Sequence, residues 1–556
     1  MHPSCLNLVT DPWLPVHRRS GMSATIRPAQ IVEDIATDPV VAIDWPRADF
    51  RIASLEYVIG LLATACPPRD QDAWIERWEE PPSVAELDAA FAPVADAFRL
   101  DGPGPRFLQD MEDLQSDREP VERLLINAPG DSTVKKNADL FVHREQIAAL
   151  GRPAAAMALF TLQSWAPSGG AGNMTGLRGG GPLVTLVLPH ESANIWEIVW
   201  ANTPIGSPVQ EVDLPHVFPW LAPTIGSGKN GTSVRPGHNA HPLQCWWGMP
   251  RRIRLDFQAA EGGVCDLTGR RDDVLVTGWR QRPYGASYAG WTGMPYGAGA
   301  MIHPLTPRYR QKKDAEWLSV HPQPGGIGYR HWTGLVVNSG DGQRLPASAV
   351  LTWRDARFPD IAGTGRTRLL AAGYDMDNMK ARGFVESEMP LPGATDPACQ
   401  EALDTLARDC VEAADLVAAL LRTYVRDALF GKGTVSPDAI LLAGVREQFW
   451  THTEGAFFDL VNRAARVAGQ DDTGPDDTGL RKDWLRTIGW AAMTQFDATI
   501  VLAPDTGMTE AQRSAQARRQ LRMAVAGSGK AGSAIMVALK IPVPVIRKPI
   551  ARARRP

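Results

Sequence analysis

Three short stretches hold residue types whose spacing could do chemistry. In "AVAGSGKAGS" at 524–533, Gly529 precedes Lys530, the pair that in a phosphate loop sets backbone amides and an ammonium against a triphosphate. That loop also needs a glycine where Ala524 stands and a magnesium-binding hydroxyl where Ala531 stands, so the stretch fails as a nucleotide site. "GHNAHPLQC" supplies His238, His241 and Cys245, side chains of the kind that hold zinc. A metal-dependent hydrolase built on those three is one reading, although no fourth ligand follows at regular spacing. The third stretch, "WAPSGGAGNMTGLRGGGP" at 165–182, packs seven glycines into eighteen residues around one positive charge, Arg178. It leads into the strand-like "LVTLVLP", the reverse of the strand-to-helix order of a dinucleotide fold, and its serines lack a nucleophile elbow. Glycines this dense are either a plain surface loop or a place where backbone must come close to something: a phosphate, another strand of the same protein, or a nucleic-acid groove. No convincing catalytic constellation emerges, and no cofactor is expected.

The elements that must position these residues fall into two patterns. Residues 1–390 alternate short β-like runs ("LNLVT", "PLVTLVLP", "RRIRLDF", "DVLVTGW", "GLVVN", "SAVLTW") with helical stretches and Pro/Gly clusters, which implies a large irregular mixed α/β domain. After a Pro/Gly linker at 388–397, Asp396 and Pro397 suit an N-cap and first helical position. From there small or apolar residues recur at Leu403, Leu406, Cys410, Ala413, Val417, Leu420 and Tyr424, a heptad seam. Further helices carry Val445, Phe449 and Leu460, then Trp484, Ile488 and Phe496. Thr509 and Gln512 form a capping-box pair before another. The fold class is therefore α+β, with a C-terminal four-helix bundle over 395–530 and a basic tail at 531–556.

Composition narrows the function classes. Six scattered cysteines make no disulfide scaffold, no apolar run spans a bilayer and the N-terminus has no signal-peptide pattern, so a cytoplasmic protein away from membranes is expected. Net charge is −4 over 556 residues. Yet Ala511 to Pro556 holds eleven Lys and Arg and no acid, leaving 47 basic against 62 acidic side chains elsewhere. Such an end either contacts a polyanion or an acidic partner, or is simply a solvated helix and tail.

Four stretches in order resemble one family. "LNLVTDPWLPV", the glycine stretch, "LLAAGYDMDNMKA" and "REQFWTHTE" are similar to the CasA family, the large subunit of the type I-E CRISPR Cascade surveillance complex. The resemblance implies a non-catalytic protein that recognises the protospacer-adjacent motif in double-stranded DNA. It also implies that the protein starts strand separation and helps recruit a helicase–nuclease. Partners would be the target DNA, other Cascade subunits and, through them, the CRISPR RNA. A glycine loop in the minor groove would correspond to Ser168, Gly169, Gly170, Ala171 and Gly172. A wedge under the motif would fall at Asp377, Asn378 and Met379, unless that stretch is an ordinary β-turn. A basic residue at the motif would be Arg282 or Arg280, since Pro283 stands at the strictly aligned position, unless both are simply solvated arginines near a turn. Phe141 either faces the guide or a neighbouring subunit, or sits in the core. Only Cys265 remains where some relatives carry four cysteines, so no structural zinc is expected. Arg518, Arg519 and Arg522, within about one helical turn, are the candidates for phosphate contact on the basic end.

Overall fold

The computed structural model describes residues 5–139, 144–165, 167, 169–170, 172–228, 231–291, 303–361, 366–377, 380–431, 440–468, 477–501 and 507–543. The chain divides into two compact units, Met1–Gly326 with Asp341–Leu391, and Ile327–Gly340 with Pro392–Pro556.

In the first unit, β1 (Leu14–Arg18), β2 (Ser23–Ile26) and β3 (Val40–Ile43) form an antiparallel sheet in the order β2-β1-β3. The helix α1 (Ala48–Ala65) follows and is buried on nearly every side, as expected for a helix that is apolar all round. Its Tyr57 ring meets Trp13, Phe98, Phe107, Phe160 and Trp247 edge-on, and its hydroxyl donates to the Leu8 carbonyl at 3.1 Å. α2 (Arg152–Trp165) packs against α1 and delivers the chain into the glycine stretch. Beyond it lie β4 (Val184–Leu188), then β5 (Arg252–Ala259) and β6 (Val274–Arg282), which pair antiparallel. The long hairpin of β7 (Arg368–Asp377) and β8 (Lys380–Pro390) adds to β4 in the order β8-β7-β4.

Three of the six β-like runs take other forms. "SAVLTW" forms the short helix Ser348–Thr352. "GLVVN" begins at Gly334, whose φ of +100° breaks a strand at its first residue. "LNLVT" makes a single bridge, Asn7 to Arg99. Four of its five amides go to side chains instead, among them Leu6 to Asp101 at 2.7 Å and Val9 to the Asn7 side-chain oxygen at 2.9 Å, so local polar groups outcompete a ladder.

The second unit is built on α3 (Pro397–Phe430), α4 (Ile440–Ala468), α5 (Thr478–Thr499) and α6 (Met508–Val525). Asp396 caps α3 by accepting from the amides of Ala398 and Cys399 at 2.9 Å. The heptad seam holds from Leu403 to Val417 and then slips by one residue, so that Leu421 and Val425 are buried in place of Leu420 and Tyr424. A 3.6-residue helix drifts against a 3.5-residue repeat, and nothing here supercoils α3 enough to correct it. α6 starts from Gly507 with no side-chain cap, so Thr509 and Gln512 do not form the expected box.

Two corrections to the expected boundaries follow. Residues 327–340 belong with the bundle, because Tyr329 stacks on Phe457 at 4.6 Å and Trp332 meets the same ring edge-on at 5.2 Å. The basic tail does not start at 531: Gly529–Ala538 is a fifth helix, α7, with Ile535, Met536 and Leu539 buried. Arg481 ties its end down by donating to the Leu539 carbonyl at 3.2 Å. No helix among the described residues is long and apolar enough to cross a membrane.

Candidate nucleic-acid interface

The seven glycines divide by what surrounds them. At Gly176 an added Cβ would lie 2.7 Å from the Ser164 carbonyl oxygen, and at Gly180 2.4 Å from the Pro167 Cα. At Gly181, with φ +63°, it would lie 2.8 Å from both the Tyr374 carbonyl oxygen and the Met376 side chain. These positions need glycine because backbone presses on backbone. Gly170 is the opposite case: it is exposed, and nothing lies within 4 Å of where its Cβ would be. Gly169 bridges Asn173, donating to its carbonyl at 3.1 Å, so Gly170 stands near the outer end of a small bridged loop. Ser168 and Ala171 of the expected loop lie outside the described residues.

The base of this loop is fixed from three sides. Gly181 donates to the Trp165 carbonyl at 2.5 Å. Arg178 points inward, not to solvent: it is buried in an ion pair with Glu56 of α1 and donates to the Thr306 hydroxyl at 3.1 Å. Glu56 also accepts from the Trp165 indole at 3.2 Å. His303 touches the same pair, and burial holds its imidazole well below its ordinary pKa, with Arg178 adding to the effect. The single positive charge of the glycine stretch is thus a structural anchor.

Through Gly181 the glycine stretch rests on the β7–β8 hairpin, so two stretches distant in sequence stand side by side. The hairpin is itself held: Tyr374 donates to Asp49 at 2.5 Å, and the Phe384 ring stacks on Trp165 at 6.0 Å. The ladder runs to the pair Asp377–Lys380, and both residues are exposed. Arg382 grips Asp375 across the hairpin at 2.7 Å. Asn378 and Met379, which join the two strands, lie outside the described residues, as does Phe141.

β6 reaches the glycine loop as well. Two residues beyond Arg282, the amide of Tyr284 donates to the Gly172 carbonyl at 2.9 Å. Tyr284 has φ +62° and is 49% exposed, an unusual conformation for an aromatic residue standing at a loop. Neither it nor Arg251, whose guanidinium donates to the Pro167 carbonyl at 2.5 Å, follows from the residue pattern. Burial lowers Arg251 to about 10. Arg282 is exposed and loosely paired with Glu112 at 3.4 Å. Arg280 lies 3.6 Å from Asp256 and also donates to the Ser116 carbonyl.

On α6 of the second unit the three arginines are not equivalent. Arg518 makes a two-pronged pair with Asp497 of α5, both bonds at 2.7 Å. That bonding raises the arginine and lowers the carboxyl. Arg519 and Arg522 are exposed and, among the described residues, pair with no carboxylate.

The residues of the hydrolase reading do not converge. His241 caps its own turn, accepting from Leu243 at 3.1 Å. Cys245 is buried with its thiol pushed up by desolvation, and His238 is exposed. Among the described residues no group of three His, Cys, Asp or Glu side chains is placed to hold a metal ion.

The model of the CRISPR-associated protein Cse1 family matches residues 7–495. The chain belongs to the Cse1 family. Solved structures agree on the fold. CasA of Thermus thermophilus is 17% identical with a TM-score of 0.66, over 93% of this chain and 99% of that one. Cse1 of Thermobifida fusca is 18% identical with a TM-score of 0.66, over 96% and 98%. A chain of a CRISPR RNA-guided surveillance complex is 15% identical with a TM-score of 0.65, over 94% and 100%. The Cse1 match runs through both units, from the first bridge at Asn7 to Gln495 of α5.

Proposed function

We propose that this Cse1 protein is the non-catalytic large subunit of a Cascade-type, CRISPR RNA-guided surveillance complex, and that it inspects duplex DNA for the protospacer-adjacent motif. The observation that carries the reading is the contrast within one loop: an open, side-chain-free Gly170 on a base of glycines that cannot be anything else. A minor groove only about 6 Å wide admits backbone where side chains are absent, and its acceptor pattern is degenerate. A loop of Ser168, Gly169, Gly170, Ala171 and Gly172 would therefore read the motif with tolerance. Beside it, Asp377, Asn378 and Met379 at the end of the β7–β8 hairpin would push under the motif. Unstacking a step costs a few kcal/mol, which guide–target pairing then offsets. Arg282 and Arg280 supply positive charge along β6.

Phe141 would contact the guide end or a neighbouring subunit, and the bundle would help recruit the helicase–nuclease. Arg519 and Arg522 meet the phosphate backbone of the target, with Arg518, held by Asp497, contributing less. The test is reconstitution of the whole complex with Gly170→Val. It is expected to assemble, to retain guide RNA and to lose its preference for motif-bearing duplex. Wild-type preference in that complex would remove the loop from motif reading.

A further inference from the structure

The face of the β5–β6 sheet carries a feature that its own stability does not require. Arg254 of β5 stands directly opposite Arg280 of β6, and Arg280 stands directly opposite Arg118 on the other side. Directly opposed residues share a face, so three guanidiniums form one row across three strands, about 10 Å long at ~4.8 Å per strand spacing. Like charges so placed are destabilising. A fourth, Arg106, lies over the Phe257 ring at 5.6 Å and is depressed by burial and by the nearby Arg254.

Acid compensates only part of this charge. Asp256 is shared by Arg118 at 3.1 Å and Arg280 at 3.6 Å. Arg106 and Arg254 are satisfied by backbone carbonyls, of Gly102 and Asp110, at 2.8 and 2.9 Å. Together with Asp113 these side chains line an open groove of about 720 Å3. Four guanidiniums and two carboxylates thus line one open groove around an aromatic ring. Arginine's planar fork suits phosphate oxygens, and an aromatic ring in a basic groove is how single strands are held without sequence preference.

We propose that this groove binds the phosphodiester backbone of a single-stranded nucleic acid. The inference rests on the nucleic-acid reading above but uses none of its motif residues except Arg280. The phosphodiester has two sources in such a system, a guide RNA or a DNA strand released from the duplex.

The test is fluorescence anisotropy of the full chain with labelled oligouridylate and oligothymidylate of equal length, across a salt series. Arg106→Gln with Arg254→Gln removes two of the four charges. Each phosphate contact contributes about 0.7 to the salt slope for a single strand, so the slope is expected to fall by about 1.4, with affinity about tenfold lower at fixed salt. Melting at or above the wild-type temperature is expected, because the repulsion is relieved. If that pair disturbs the fold, Arg118→Gln, on an exposed side chain, should lower the slope by about 0.7. Tighter binding of the RNA probe assigns the groove to a guide; equal binding or a DNA preference assigns it to a released strand. Wild-type affinity and slope in the folded variants would overturn the proposal. Gly170→Val separates the two readings: it is expected to leave single-strand binding intact while abolishing motif preference in the complex. A folded arginine variant that binds strands normally beside a Gly170→Val complex that has lost the motif would sink the groove alone.

Discussion

The two kinds of glycine in the 165–182 stretch make opposite predictions. Gly181→Ala would force a Cβ into a left-handed backbone at φ +63°, 2.8 Å from the Tyr374 carbonyl oxygen. The backbone term is about 1 kcal/mol and the overpacking about 1–3 kcal/mol, because Tyr374 is anchored through its own hydroxyl and cannot retreat. The sum, about 3 kcal/mol, corresponds to a fall in Tm of about 4 °C for the first unit, at about 2.1 cal/mol/K of unfolding entropy per residue. Gly170→Val has no clash to make and its φ is not positive, so stability should change by less than about 0.5 kcal/mol. Its cost lies in binding. If two backbone hydrogen bonds to base edges are lost at about 1 kcal/mol each, motif-bearing duplex is bound about thirtyfold more weakly. Differential scanning calorimetry of the two variants, with gel-shift titration of the assembled complexes, reads both quantities. A Gly170→Val protein that melts as early as Gly181→Ala would show that the outer loop is packed, and the reasoning would fail at its first step.

Other outcomes follow from the same geometry. Asp377→Ala with Asn378→Ala should leave duplex encounter intact but slow strand opening, and a target with a pre-opened bubble should restore the rate; normal opening of linear duplex by the double variant would place the wedge elsewhere. Arg519→Gln with Arg522→Gln should weaken all target sequences alike and lower the duplex salt slope by about 1.8, whereas Arg518→Gln alone, which mainly unpairs Asp497, should change it much less; an unchanged slope with impaired assembly would make this face a protein contact. His303 is buried with its pKa held below 6.5, so the unfolded chain takes up a proton that the folded chain refuses. Stability is complete above pH 6.5 and falls below it by about 1.4 kcal/mol per pH unit until the folded state protonates. Melting curves at descending pH check this, and an increase in Tm on acidification would contradict the buried-neutral assignment.

Part of the architecture around the candidate site is legible in the residues, for identifiable reasons. Glycine density marks close backbone approach whatever approaches, and the pattern switch near Pro390 marks the change from mixed elements to packed helices. The N-cap at Asp396 is written locally, and its two bonds form as expected. What stays hidden depends on partners far along the chain. Arg178 is only the one positive charge of a glycine-rich stretch until Glu56, 122 residues away, is found beneath it. Arg518 looks equivalent to Arg519 until Asp497 is placed opposite. Tyr284 gives no signal at all, because a positive φ on an aromatic residue is imposed by its surroundings. The fifth helix escapes a reading of pattern because "GKAGSAIMVALK" is short and glycine-broken, and only burial against the bundle makes it stable.

On the proposed reading the glycine stretch has to satisfy two demands at once, and its sequence separates them in space. A loop that enters a narrow groove must carry no side chains at its outer end, which leaves it few contacts of its own and a large conformational entropy to lose. Rigidity must then come from below. Gly176, Gly180 and Gly181 let the chain lie directly on Ser164, Pro167 and Tyr374, and the buried Arg178–Glu56 pair fixes its direction. Because the same Gly181 touches Met376 of β7, any displacement of the loop base is felt by the hairpin that ends at Asp377. Motif reading and strand opening would then share one mechanical base. Substitutions at Gly181 should therefore impair both together, while those at Gly170 impair reading alone and those at Asp377 and Asn378 impair opening alone. A Gly181→Ala complex that binds the motif poorly yet opens a tethered duplex at the normal rate would break that link.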